Sequence, residues 1–209
     1  MTAWVDAGPA RAEALGGSAD PQVRSYGPDG VPVLLETASG HPFPGPILFD
    51  GADYYLKVVQ EGHPLQSRWV QIPGEMLDTK ESITKLGDLR DSLMWFWVFD
   101  PRTALRVSEP AGELVPGASA GTWTLTCRLD PSRLHDELPA LLINQLLPQI
   151  LGGWTIELTA DAQGKIEAMT LNGTLDTDVS IHWSWSRAEE APQVPQEAIA
   201  FGDAEEALR

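Results

Sequence analysis

The side chains able to do chemistry in this chain are four histidines, one cysteine, scattered serines and 30 acidic residues. The histidines, His41, His63, His135 and His182, form no metal-binding pair of the H-E-x-x-H kind. His41 and His63 stand in proline-containing turns and read as solvated loop residues, and His182 faces away from the tryptophans of its strand. Ser184 sits between two tryptophans rather than in a G-x-S-x-G elbow. Gly16-Gly17 and Gly152-Gly153 lack the spacing and the lysine of a phosphate loop. Asp176 and Asp178 with Glu157 or Glu167 offer oxygens for a cation, but without the alternating ligands, glycine and closing glutamate of a calcium loop. Pairs of carboxylates for glycoside hydrolysis are numerous, and nothing selects one. The expectation is therefore no enzyme: no catalytic residue, no metal and no cofactor.

Charge narrows the partners. The formal net charge of −16 repels phosphate backbones and anionic lipid headgroups, so neither nucleic acid nor direct adsorption to an anionic membrane is expected. The single cysteine, Cys127, excludes an internal disulfide and reads as a small buried hydrophobe. No stretch approaches a membrane span of about 20 apolar residues, and the chain is expected to act as a monomer. Met1 to Gly17 carries Asp6 and Glu13 and has no apolar h-region, so it does not read as a signal peptide. Taken as it stands the chain is expected in the cytoplasm; an upstream leader would place it in the cell envelope or outside the cytoplasm.

The elements that would position any site are mainly short strands. Gly27-Pro28-Asp29-Gly30 is a turn feeding an alternating run at Val31, Val33 and Leu35, and residues 40–46 form a loop. Ile47-Leu48-Phe49, Asp50-Gly51 and Tyr54 to Val59 give a hairpin signal, with a strand following at Arg68–Ile72. Leu86, Leu89, Leu93, Phe96 and Trp97 recur at helical spacing near 88–98, and Asp100-Pro101 closes that helix. Residues 105–129 return to strand character, and Thr122 to Leu129 alternates. Asp130-Pro131 reads as a cap to a second helical region near 132–150, carrying Leu138, Leu141, Leu142, Leu146 and Leu147 and broken or restarted at Pro139. Trp154, Ile156 and Leu158 share a strand face. Asp161 to Gly164 turns into Lys165–Leu171, and after Asn172-Gly173 the run Val179, Ile181, Trp183, Trp185 alternates with Ser and His. The 209 residues are read as one domain, with residues 1–20 and 187–209 extended or poorly ordered.

The eight tryptophans are the distinctive feature. They either fill the core of a twisted sheet or line one concave face, since Trp123, Trp154, Trp183 and Trp185 all fall on the C-terminal strands. The leucine-rich region at 138–150 is apolar nearly all round, as a lid buried on both sides would be.

The order of these signals resembles the LolA-like lipoprotein carriers, particularly the actinobacterial LppX/LprG-type branch. The matching pieces are Leu48-Phe49-Asp50-Gly51-Ala52-Asp53-Tyr54-Tyr55-Leu56-Lys57 with Arg68-Trp69-Val70, and Gly112-Glu113-Leu114-Val115-Pro116-Gly117 leading to Leu129-Asp130. The leucine-rich helix, Trp154–Leu158, Lys165-Ile166, the Val179–Ser186 strand and Val194-Pro195 follow in order, so the likeness covers residues 45–200. It implies an α+β fold: a curved antiparallel β-sheet, or half-barrel, with helices packed on the concave face around an apolar cavity for acyl chains. The chain departs from that family in having no lipidated N-terminal cysteine and little sign of the family's first helix. On this reading Trp123, Leu125, Trp154, Ile156, Ile181 and Trp183 form the ligand-binding wall, with Leu142 and Leu146 on the helix that closes it. The expected function is non-enzymatic binding or carriage of a hydrophobic ligand such as an acylated lipid. The competing expectation is an envelope-associated or regulatory interaction module with a filled core and no ligand.

Overall fold

The computed structural model describes residues 10–17, 22–28, 31–37, 45–59, 61–78, 93, 96, 97, 100–130, 133, 153–174 and 178–207. The first six strands are β1 (Ala10–Gly17), β2 (Gln22–Tyr26), β3 (Val33–Thr37), β4 (Ile47–Phe49), β5 (Asp53–Lys57) and β6 (Trp69–Pro73). A short helix, α1 (Pro101–Arg106), leads into β7 (Ser108–Pro110), β8 (Val115–Pro116) and β9 (Trp123–Leu129). The chain then supplies β10 (Thr155–Ala160), β11 (Ile166–Thr174), β12 (Asp178–Arg187), β13 (Ala198–Ala200) and α2 (Phe201–Ala207).

The thirteen strands among the described residues join one curved, open sheet in the order β13-β6-β5-β4-β3-β2-β1-β12-β11-β10-β9-β7, with β8 on β9. Every pairing among the described strands is antiparallel except β13 on β6. The β4–β5 turn shows how the local chemistry sets the register. Asp50 Oδ1 accepts the backbone N–H groups of Ala52 and Asp53 at 2.9 and 2.8 Å, while Gly51 takes φ +105°.

Strand alternation places one continuous apolar face along the sheet. Leu125, Leu158, Met169 and Trp183 lie side by side on β9, β10, β11 and β12, and Ala14 of β1 follows them. The row one step along runs Trp185, Ala12, Arg24, Leu35, Ile47, Leu56 and Val70. Apart from the half-buried Leu56 and Trp185, these residues are buried, and the apolar ones belong to a single hydrophobic cluster. Phe96 and Trp97 are helical and pack edge-on against each other and against Tyr54 of β5.

Several sequence expectations need correction. Of the stretch 1–20, expected to be extended or poorly ordered, residues 10–17 form β1 between β2 and β12, and the rest lies outside the described residues. Asp100-Pro101 does not simply end a helix; Asp100 caps a new one, α1, with proline in its first turn. The β character expected from 105 therefore begins only at Ser108. The strand expected at Lys165–Leu171 runs on through Asn172-Gly173 to Thr174 as β11. Gly173 is where the Trp154 indole lies on the strand, and a Cβ there would collide with the ring. The tail beyond Arg187 adds β13 to the edge of β6 and ends in α2. Two helices are described along their length, α1 and α2, both short. Most of the expected helical regions 88–98 and 132–150 lies outside the described residues. Among the described residues no helix is long and apolar enough to cross a membrane.

Candidate functional site on the inner face

At the β9–β11 end the apolar face opens into a cavity of about 440 Å³. Its walls are Trp123 and Leu125 of β9, Leu158 and Ala160 of β10, Ile166 of β11, the β10–β11 turn residues Asp161 to Gly164, and Leu114. The size falls in the range of small-molecule pockets, about 300–1,000 Å³, and the wall combines aliphatic side chains with one aromatic face. The turn is held from within: Asp161 Oδ1 accepts the Gln163 and Lys165 backbone N–H groups, both at 2.9 Å. Leu114 and Trp123 remain exposed, with 56% and 40% of their surface in solvent, so the cavity mouth is apolar.

The residues singled out from sequence divide into four groups. Trp123 and Leu125 line the cavity. Trp154, Ile156, Ile181 and Trp183 share its face but are fully buried in the core beyond it. Leu142 and Leu146 lie outside the described residues, as do His41 and His135. His182 is exposed with its Nδ1 2.9 Å from Thr170 Oγ1, and His63 Nδ1 accepts the Leu65 N–H at 3.1 Å. Among the described residues no three His, Cys, Asp or Glu side chains gather to hold a metal ion.

The other notable site on this face is charged. Arg24 of β2 is 0% exposed, and its Nη1 lies 3.6 Å from Asp100 Oδ1. The Asp100 oxygens are already engaged: Tyr26 Oη donates to Oδ1 at 2.7 Å, and the Thr103 N–H donates to Oδ2 at 2.7 Å. The guanidinium lies 5.1 Å from the Phe96 ring centre and 5.7 Å from that of Trp183, and Arg102 covers the Tyr26 ring at 4.8 Å. Burial pulls the Arg24 guanidinium below its ordinary pKa, opposed by the neighbouring Asp100. Burial also pushes the Tyr26 phenol well up, and the Asp100 carboxylate adds to that. The arrangement suits recognition of charge rather than proton transfer, since Arg keeps its proton and Tyr26 holds its own firmly.

Sequence reasoning missed this cluster. Arg24 and Tyr26 alternate with Val23 and Ser25, but a charged residue at an inward position resembles a solvent-facing one in a sequence. The usable signal was Asp100-Pro101, an aspartate cap before proline of the same form as Asp130-Pro131.

No protein-family model matches the chain, and no curated protein is significantly similar to it.

Proposed function

We propose that this protein binds or carries a hydrophobic, lipid-like ligand on the inner face of its open sheet, without chemical conversion. The observation that carries the reading is the 440 Å³ cavity whose apolar wall continues into the core face of a thirteen-stranded unclosed sheet. Each methylene withdrawn from water contributes about 0.8 kcal/mol, so an acyl chain gains affinity in proportion to the length it buries. On this reading the leucine-rich region near 132–150 closes the concave face through Leu142 and Leu146, and the protein is a LolA-like carrier in architecture. The half-exposed Trp123 is the natural reporter.

The test is titration of the purified chain with hexadecanoic acid or a diacylglycerol while Trp emission and thermal unfolding are followed. Binding is expected to shift the emission to the blue. It should also raise the unfolding temperature by about 5–10 °C when free ligand stands ~100-fold above Kd. No change in either signal at saturating lipid sinks the carriage reading and leaves an interaction module with a filled core.

A further inference from the structure

The unusual feature of the inner face is a surplus of buried hydrogen-bond donors. All three guanidinium nitrogens of Arg24 lack a hydrogen-bond acceptor among the described residues, and so does the indole N–H of Trp183 beside it. Neither side chain can accept a hydrogen bond, so the pair presents donors only. Asp100 Oδ1 approaches Nη1 to 3.6 Å, an ion pair beyond hydrogen-bond distance, while its oxygens accept from Tyr26 and Thr103. Buried donors without acceptors are strongly disfavoured, and a guanidinium most of all. The chemistry that relieves them is an oxyacid anion, whose paired oxygens match the planar fork of arginine.

Position links this spot to the cavity. Leu125 and Leu158, two of the cavity walls, begin the transverse row that continues through Met169 to Trp183, the residue Arg24 touches. That row covers three strand spacings, about 14 Å. The small side chains of Ala12 and Ala14 separate Trp183 and Trp185 from β2 and leave the guanidinium room to reach the indole. Met169 and Trp183 are buried along that row, so a chain with its tail in the cavity brings its head to Arg24 by displacing their packing.

We infer that Arg24, with the Trp183 indole N–H, is the head-group site of the cavity, and that the ligand is an anionic single-chain amphiphile carrying a carboxylate or phosphate. The inference rests on the carriage reading above and adds the class of ligand. Arg24 remains paired with Asp100 when the site is empty and turns its donors to the incoming anion when it is filled.

The experiment titrates the full chain with hexadecanoic acid, hexadecyl phosphate and hexadecanol, which share a tail and differ in the head. One or both of the anions should bind at least ~10-fold tighter than the alcohol, the tighter of the two identifying the head group. In Arg24→Met, the anion should fall to within about twofold of the alcohol. Equal binding of all three by the native chain overturns the head-group site while carriage stands, and Arg24 is then only the internal partner of Asp100. A preference that survives in Arg24→Met overturns it too, because the anion then sits elsewhere. Binding of none of the three removes both readings. Equal binding of anion and alcohol by the native chain overturns the site whether or not Arg24→Met folds.

Discussion

The two ends of one continuous apolar face are built on opposite plans. At β9–β11 the wall is aliphatic and aromatic, partly open, and held in place by a backbone turn around Asp161. Toward β12, β1 and β2 the same face closes over a buried arginine, a tyrosine and an aspartate that caps α1. Space at the first end means that added volume is accommodated and lost volume matters little. At the second, Asp100 accepts from Tyr26 and is the ion-pair partner of Arg24, so removing it strands both. The difference teaches how one face can be built two ways: by shape at the cavity and by charge at Arg24.

The largest effect should come from Asp100→Ala. It deletes the acceptor of Tyr26, the cap of α1 and the only carboxylate paired with Arg24 among the described residues. Breaking a buried pair from one side costs about 3–5 kcal/mol, read as a lower urea midpoint. Adding Arg24→Met to that variant should recover part of the loss, because the uncompensated charge is gone. A loss under ~1 kcal/mol in the single variant would make the charged end no more exacting than the cavity end.

Volume tests the same contrast at smaller amplitude. Ala12, 0% exposed between Arg24 and Trp185, and Ala160, on the cavity wall, are both alanines facing inward. Ala12→Leu should destabilise by about 1–3 kcal/mol from overpacking, while Ala160→Leu should change stability by less than about 1 kcal/mol and weaken lipid binding. Gly173→Ala belongs with the first, since its Cβ would collide with the buried Trp154 ring, and should likewise cost about 1–3 kcal/mol. Equal losses at Ala12 and Ala160 would show that the cavity end is packed as tightly as the middle.

How much of this was legible in the sequence follows from what alternation encodes. The β9–β12 strands announced themselves because Trp123, Leu125, Cys127 and Leu129 alternate with Thr and Arg over a long run. Strand β1 was invisible, because its inward residues are alanines, which carry no strand preference and little hydrophobic contrast. The reason for alanine there lies in the third dimension: it makes room for Trp183, Trp185 and Arg24 on its neighbours. The cavity was legible as residue types, and Trp123 and Leu125 do line it, but the alternation of Trp154 and Trp183 did not reveal that they sit in the filled part of the same face. Arg24 and Asp100, separated by 76 positions, meet only through the fold.

The smallest effects concern protons at the β4–β5 hairpin and on β9. Tyr55 is pushed up to about 12 by burial and by its hydrogen bond to Asp50. Its contribution to stability is present in full below pH 10 and is lost as the pH rises toward 12, which a pH series of thermal unfolding would record as a loss reduced by Tyr55→Phe. At Asp50 burial works to raise the carboxyl, but the Asp53 and Ala52 N–H groups and the Tyr55 hydroxyl hold it below its ordinary value. Its share is therefore present above the ordinary aspartate range and lost as the pH falls through the lowered value. Cys127, on the cavity strand but buried, has its thiol pushed up by burial, with a hydrogen bond to Ser108 opposing, so alkylation at pH 8 should be slow until the chain unfolds.

The most direct test of carriage is the native mass spectrum of the chain purified from its own host without detergent. The inner face is expected to arrive occupied, giving a mass above that of the bare polypeptide by one lipid-like molecule that organic solvent releases. A spectrum showing only the bare polypeptide under gentle ionisation would contradict the account.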